Sequence, residues 1–288
     1  MSFLQRIVAW SLRPGAFHSP TFTGIGILRP NPQTPTAKSM PTNFYTSSMY
    51  HRPMGRRSYS SDPFSYESHF KRNMRVIYGA IGLNTAIFLY GNYTRVQAEQ
   101  GSPESWYWFN ENFTLNYVQF THEGRWWTAI TSVFSHLDFK HLFGNMVSTY
   151  FFGLVIAGTP CITPLMIAKL ILGSGLCGSI FTLGLRHWEI KNQTGKSQWG
   201  RTGPPELKRG LGFSGAVMGI SAVAAALDPK RIFYLAGIIP APLWLLVTGY
   251  AAYDIYSFND KTSNVGHSAH IGGLVFGAAY YLVKLRGF

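Results

Sequence analysis

At 288 residues, 46% of them hydrophobic and only 13% charged, the chain is short of the polar surface that a water-soluble globule of its size needs. The formal charge of +13 would suggest nucleic acid in a soluble protein, but its distribution argues for another cause. The two cysteines, Cys161 and Cys177, both lie in apolar sequence, which excludes a disulfide framework and leaves the redox compartment open.

Residues 1–61 carry seven basic side chains (Arg6, Arg13, Arg29, Lys38, Arg52, Arg56, Arg57) and no acid before Asp62. A basic, acid-free tract rich in Ser, Thr and Pro has the composition of a disordered, cleavable mitochondrial presequence. Arg57-Ser58-Tyr59-Ser60 resembles a matrix processing site and predicts a cut after Tyr59. Residues 62–73 read as a short linker and 74–288 as a membrane domain.

Six apolar segments in that domain are long enough, or nearly so, to cross a hydrocarbon core of roughly 30 Å. They run from Met74 to Thr94, from Leu142 to the break at Gly158-Thr159-Pro160, and from Cys161 to Leu185, followed by a short one from Leu211 to Leu227. The fifth covers Ile232 to Tyr253, tolerating Pro240 and Pro242, and the sixth covers His267 to Val283. Lys169 is the one charge in the third span and reaches water only if it lies near an interface. Between the first two spans, Trp106, Tyr107, Trp108, Phe109, Trp126 and Trp127 mark a loop expected to lie in the membrane interface. The basic stretch from Arg186 to Gly210 is a solvent-side connection. The expected class is therefore an all-α polytopic membrane protein whose first partner is the lipid bilayer, with nucleic acid excluded and oligomeric state open.

Three polar constellations sit at the edges of these spans: His141 with Asn145, Gly212-Phe213-Ser214-Gly215, and His267-Ser268-Ala269-His270. They open the second, fourth and sixth spans, so an alternating topology places all three at one face of the membrane and at similar depth. Positions four apart share a helical face, which points His141 and Asn145 together. Gly273 and Gly277 lie near the face of His270, and Gly215 and Gly219 form a small-x-x-x-small pair that lets helices touch backbone to backbone. A hydroxyl, an imidazole and donors for an oxyanion are what peptide hydrolysis needs. Taken alone, a Gly-x-Ser-Gly is more often packing than nucleophile. No third ligand stands near His267 and His270 at a recognisable spacing, and no His-Glu-x-x-His occurs, so neither a metal nor another cofactor is expected.

These motifs resemble the rhomboid family. His136, His141 and Asn145 fit its second-helix pattern His-x-x-x-x-His-x-x-x-Asn, Gly212-Phe213-Ser214-Gly215 fits its nucleophile motif, and Ala269-His270 with Gly273 and Gly277 fits its sixth-helix motif. His267 resembles the mitochondrial presenilin-associated branch, whose sixth helix carries a similar His pair. The resemblance implies a six-helix bundle with a short fourth helix at the floor of a water-filled cavity. It implies a serine endopeptidase that cleaves single-pass transmembrane substrates, with Ser214 as nucleophile, His270 as base without an Asp, and an oxyanion held by His141, Asn145 and the Ser214 N–H. Met218 stands where many members place a Tyr against the base, so a less rigid dyad is expected; as a separate departure, Arg125 precedes Trp126-Trp127 rather than following. Lys and Arg counts on the two sides do not fix orientation; a presequence followed by six spans predicts an inner-membrane protein with its cavity facing the intermembrane space. The rival readings are a catalytically inactive rhomboid-like protein that binds membrane clients, and a transporter, which would need charges paired within its spans.

Overall fold

The computed structural model describes residues 63–192, 208–235, 238–258, 260 and 265–287. The presequence, its cut after Tyr59 and most of the basic connection lie outside the described residues. Helix α1 (Pro63–Glu99) begins with the residue best tolerated in a first helical turn. It absorbs 63–73, expected as linker, because His69 and Asn73 are anchored there: the Asn73 amide donates to Ala157 O at 3.2 Å and to Ile162 O at 2.8 Å. These carbonyls flank the turn between α5 and α6 and would otherwise be left unpaired.

The aromatic loop folds into α2 (Glu104–Phe113), a two-residue β1 (Leu115–Asn116), α3 (Tyr117–Thr121), α4 (Thr128–Thr131) and a tight 3-10 turn at Ser132–Phe134. Phe109 is fully buried between Trp106 and Phe113, while Tyr107, Trp108 and Trp126 face outward. β1 pairs with β2 (Arg209–Gly210), which brings the chain back beside α2 just before Ser214.

Helix α5 (Phe139–Ala157) is capped by Asp138, whose carboxylate accepts from His141 N at 2.9 Å. Helix α6 (Pro164–Lys191) is capped by Thr163 and is, among the described residues, the one helix that by length and apolarity suffices to cross a bilayer. Lys169 is exposed in its second turn, near the end, where its ammonium can reach an interface. Helix α7 (Ser214–Leu227) has 14 residues, about 21 Å, which falls short of a hydrocarbon core.

The fifth expected span is different. Ile232–Leu235 (β3) and Ile239–Pro242 (β4) pair as a hairpin in the register Ile232↔Pro242 and Tyr234↔Pro240, and helix α8 starts only at Leu243 (Leu243–Tyr256). Pro240 and Pro242 lack the N–H a helix interior requires and bias the residues before them toward extended backbone. Helix α9 (His267–Tyr280) ends in a wide turn at Tyr281–Leu285.

The interior is rich in polar groups, Asn73, Asn84, Thr149, Ser174, Asp254 and His270 among them, whereas Leu89, Phe151, Leu172, Ile180, Leu245 and Val275 are exposed. The inner layer is α6, α7 and α9, joined through glycines. A Cβ on Gly178 would lie 2.7 Å from Ala269 O and one on Gly215 3.1 Å from the same atom; one on Gly273 would strike Gly215 O, and one on Gly277 Gly219 O. Replacing Gly273 by Val must therefore part α7 from α9 at a backbone contact. The expected cost is about 3 kcal/mol or more, the upper end for overpacking, while Gly82→Ala, where no atom lies within 4 Å, leaves the denaturation midpoint in detergent unchanged or raises it.

Candidate active site

The three constellations converge. Ser214 is the first residue of α7 and His270 lies in the first turn of α9, and each adjoins a member of the Gly215–Ala269 contact. Gly212 precedes them with φ +127°, a conformation open to glycine, and a Cβ there would press on the His141 ring, 2.7 Å from Cε1. The required left-handed turn thus lies against His141 and sets the entry to α7. Among the described residues no hydrogen bond joins the Ser214 hydroxyl to His270; the two groups share a seam through their neighbours.

His270 is 3% exposed and has a partner that the sequence reading did not assign. Its Nδ1 donates to the Asp254 carboxylate, at 3.0 Å from Oδ1 and 3.1 Å from Oδ2, and His267 Nδ1 reaches the same Oδ1 at 2.7 Å. Asp254 is fully buried on α8. The expectation of an imidazole without an Asp is corrected, because the last turn of α8 faces the first turn of α9. With Nδ1 of His270 donating to a carboxylate, Nε2 is left as the acceptor, which is the tautomer a base requires. Met218 occupies the α7 position at which an aromatic was looked for. The Tyr250 ring lies 5.8 Å from the His270 ring, so α8 supplies an aromatic neighbour that α7 does not. Donor atoms of Asp254, His267 and His270 all lie within 4.8 Å of one another, which supplies the third potential metal ligand that sequence spacing did not reveal.

The opposite wall is organised by His136, which the sequence reading used only as part of a pattern. Its Nε2 accepts from Asn145 Nδ2 at 2.9 Å and from Phe213 N at 3.3 Å, and its ring meets His141 edge-on at 4.9 Å. One imidazole thus ties α5 to the residue before Ser214. Burial, and then the neighbouring His141, push His136 down to about 3, so it stays neutral and keeps its acceptor. Asn145 is buried and His141 half-buried beside Gly212. The Asn145 amide, the His141 ring and the N-terminus of α7 therefore border one spot. Gly219, Gly273 and Gly277 do not line it; they hold the helices together below it. Arg125 stands apart, paired with Glu111 at 3.1 Å and Glu123 at 2.9 Å.

A family profile described as "Rhomboid domain" matches residues 123–287, more than half of the chain. "RHOMBOID-like protein 12, mitochondrial" of Arabidopsis thaliana is 36% identical over 187 residues, 64% of this chain and 55% of that protein. "Rhomboid protein 1, mitochondrial" of Saccharomyces cerevisiae is 25% identical over 219 residues, covering 76% and 55%. "Rhomboid protease AarA" of Providencia stuartii is 27% identical over 191 residues, covering 60% and 63%. The chain thus spans between about half and two thirds of the length of these relatives.

If His136 is the tie between α5 and α7, His136→Leu strands two buried donors. The expected loss is about 2–6 kcal/mol, at about 1–3 per unpaired group, read as the shift in denaturation midpoint. His136→Gln, whose amide oxygen still accepts, recovers part of that loss.

Proposed function

Because the chain belongs to the rhomboid family, we propose that it is an intramembrane serine endopeptidase cutting transmembrane segments of mitochondrial membrane proteins, with Ser214, His270 and Asp254 acting in series. The observation that carries this reading is the buried Asp254–His270 hydrogen bond at 3.0 Å, set one residue from the contact between α7 and α9. A carboxylate on Nδ1 has a clear use when Nε2 must take a proton.

In this reading the Ser214 Oγ attacks the substrate carbonyl carbon as its proton passes to His270 Nε2. The carbonyl π electrons move to oxygen, and that oxyanion receives hydrogen bonds from the Asn145 amide, the His141 ring and the Ser214 N–H. Collapse expels the amine, which takes the proton from His270, and leaves an acyl group on Ser214; water then repeats the sequence to release the acid. The Ser214–His270 hydrogen bond forms with substrate in place, as catalytic contacts commonly tighten in the bound complex. Asp254 orients the ring and balances the imidazolium, and Tyr250 restricts its tilt.

The inverted distribution of polar and apolar side chains supports a bundle embedded in lipid, in which α1 and α5–α9 are the six membrane helices of the family fold. The short α7 starts below the surface, so water reaches Ser214 through a cavity rather than through lipid. The mitochondrial relatives support a mitochondrial membrane, and the basic N-terminus favours the inner one, with the site toward the intermembrane space. Protease protection of a tag inserted near Lys196, outside the described residues, decides the orientation: the tag should be cut in intact mitoplasts.

Purified chain should react with a fluorophosphonate probe and cleave a reporter transmembrane segment. Ser214→Ala and His270→Ala should abolish both without loss of fold. Asp254→Asn should keep binding but lower kcat by up to about 10⁴-fold, the loss seen when a triad histidine loses its orienting carboxylate.

A further inference from the structure

Catalysis on this reading uses one imidazole on Asp254, yet two are there. His267 and His270 stand three residues apart on α9, and both turn Nδ1 toward the same carboxylate, at 2.7 and 3.0 Å. All three side chains are buried, and their donor atoms lie within 4.8 Å of one another. We propose that Asp254, His267 and His270 form a binding site for a zinc-class divalent cation that reversibly inhibits the enzyme; the inhibitory half rests on the protease reading, while the binding half does not.

The donor set selects the ion. Two imidazole nitrogens and one carboxylate oxygen suit zinc and its borderline-soft neighbours, whereas magnesium and calcium favour oxygen alone. With Zn–N near 2.0–2.1 Å, a tetrahedral ion holds its ligands about 3.3 Å apart, so the two imidazole–carboxylate separations of 2.7 and 3.0 Å widen by about half an ångström, while the two imidazole nitrogens, within 4.8 Å of each other, come to the same spacing. Three protein ligands leave the fourth position to water.

Inhibition follows from where the protons go. Each neutral imidazole carries one proton, now on Nδ1 facing Asp254. A cation at Nδ1 takes the lone pair that appears when that proton moves to Nε2, so no proton need leave the protein. His270 Nε2 then carries a hydrogen and cannot accept one from Ser214. The cation also draws Asp254 from its orienting role. Removing the metal restores the original tautomer.

The test separates binding from activity. Untagged full-length Ser214→Ala protein in detergent is titrated with cobalt(II), whose four-coordinate complexes with N and O ligands absorb strongly in the visible. One equivalent should produce these bands, zinc should erase them and magnesium should not, and His267→Gln, which can still donate to Asp254, should weaken cobalt binding at least tenfold. In the active chain, zinc should suppress fluorophosphonate labelling of Ser214 and EDTA should restore it. His267→Gln should raise the half-inhibitory zinc concentration at least tenfold, each variant measured against its own zinc-free rate. Absence of the bands from the Ser214→Ala protein overturns the site, as do bands indifferent to His267→Gln. Bands without any effect of zinc on labelling overturn the inhibition. Bands in a protein that never labels would count against the protease reading and not against the site.

Discussion

The interior of this protein depends on backbone touching backbone. Carbonyl oxygens of Gly215 and Gly219 on α7 occupy the places where Gly273 and Gly277 of α9 would carry side chains, and Gly178 of α6 closes on Ala269 from the other side. Helices cannot approach so closely through larger residues. The closeness matters because Ser214 and His270 sit on either side of this seam rather than within it. A short hydroxyl on one helix and a ring on the next can meet only if the axes are nearly as near as helix backbones allow. The glycines are therefore a spacing device, and Ser214 and His270 lie at the end of it where α7 begins.

Polar groups in such an interior must be paired, and the pairing supplies the second layer of positioning. His136 joins Asn145 to Phe213 N, so the wall contributed by α5 is fixed to the residue before Ser214. Asn73 does similar service at the far end, holding the turn between α5 and α6. On the other wall Asp254 holds His267 and His270. Each tie crosses between elements remote in the chain, and together they leave the helix starts of α5, α7 and α9 at one level.

The motifs were legible because serine, histidine and asparagine at the edges of apolar runs are conspicuous, and the order of the spans put them on one side. Asp254 was not, for a reason that can be traced. Pro240 and Pro242 were tolerated inside a span from Ile232 to Tyr253, but they end a hairpin, and α8 starts at Leu243 and runs to Tyr256. Drawn as a longer span ending at Tyr253, the sequence leaves Asp254 just outside, where an acid beside a polar loop attracts no notice. The same reasoning by position assigned the neighbour of His270 to Met218, although the ring that lies there belongs to Tyr250, on another helix. Residues 62–73 read as a linker in the sequence, yet the helix already runs from Pro63, and tertiary hydrogen bonds from His69 and Asn73 anchor that stretch.

The second histidine also explains how the carboxylate can be buried at all. A lone ionised Asp with no exposure would give up its hydration for little return. Two Nδ1–H donors on one carboxylate replace much of that hydration. One donor is His270, beside the seam with Gly215; the other, His267, packs against the Tyr253 ring 5.6 Å away. His267 thus shares the Asp254 carboxylate with His270. The arrangement has a built-in consequence, since what stabilises a buried carboxylate with two imidazoles is also what attracts a divalent cation. The same three side chains hold protons between them in one state and would hold a metal between them in the other.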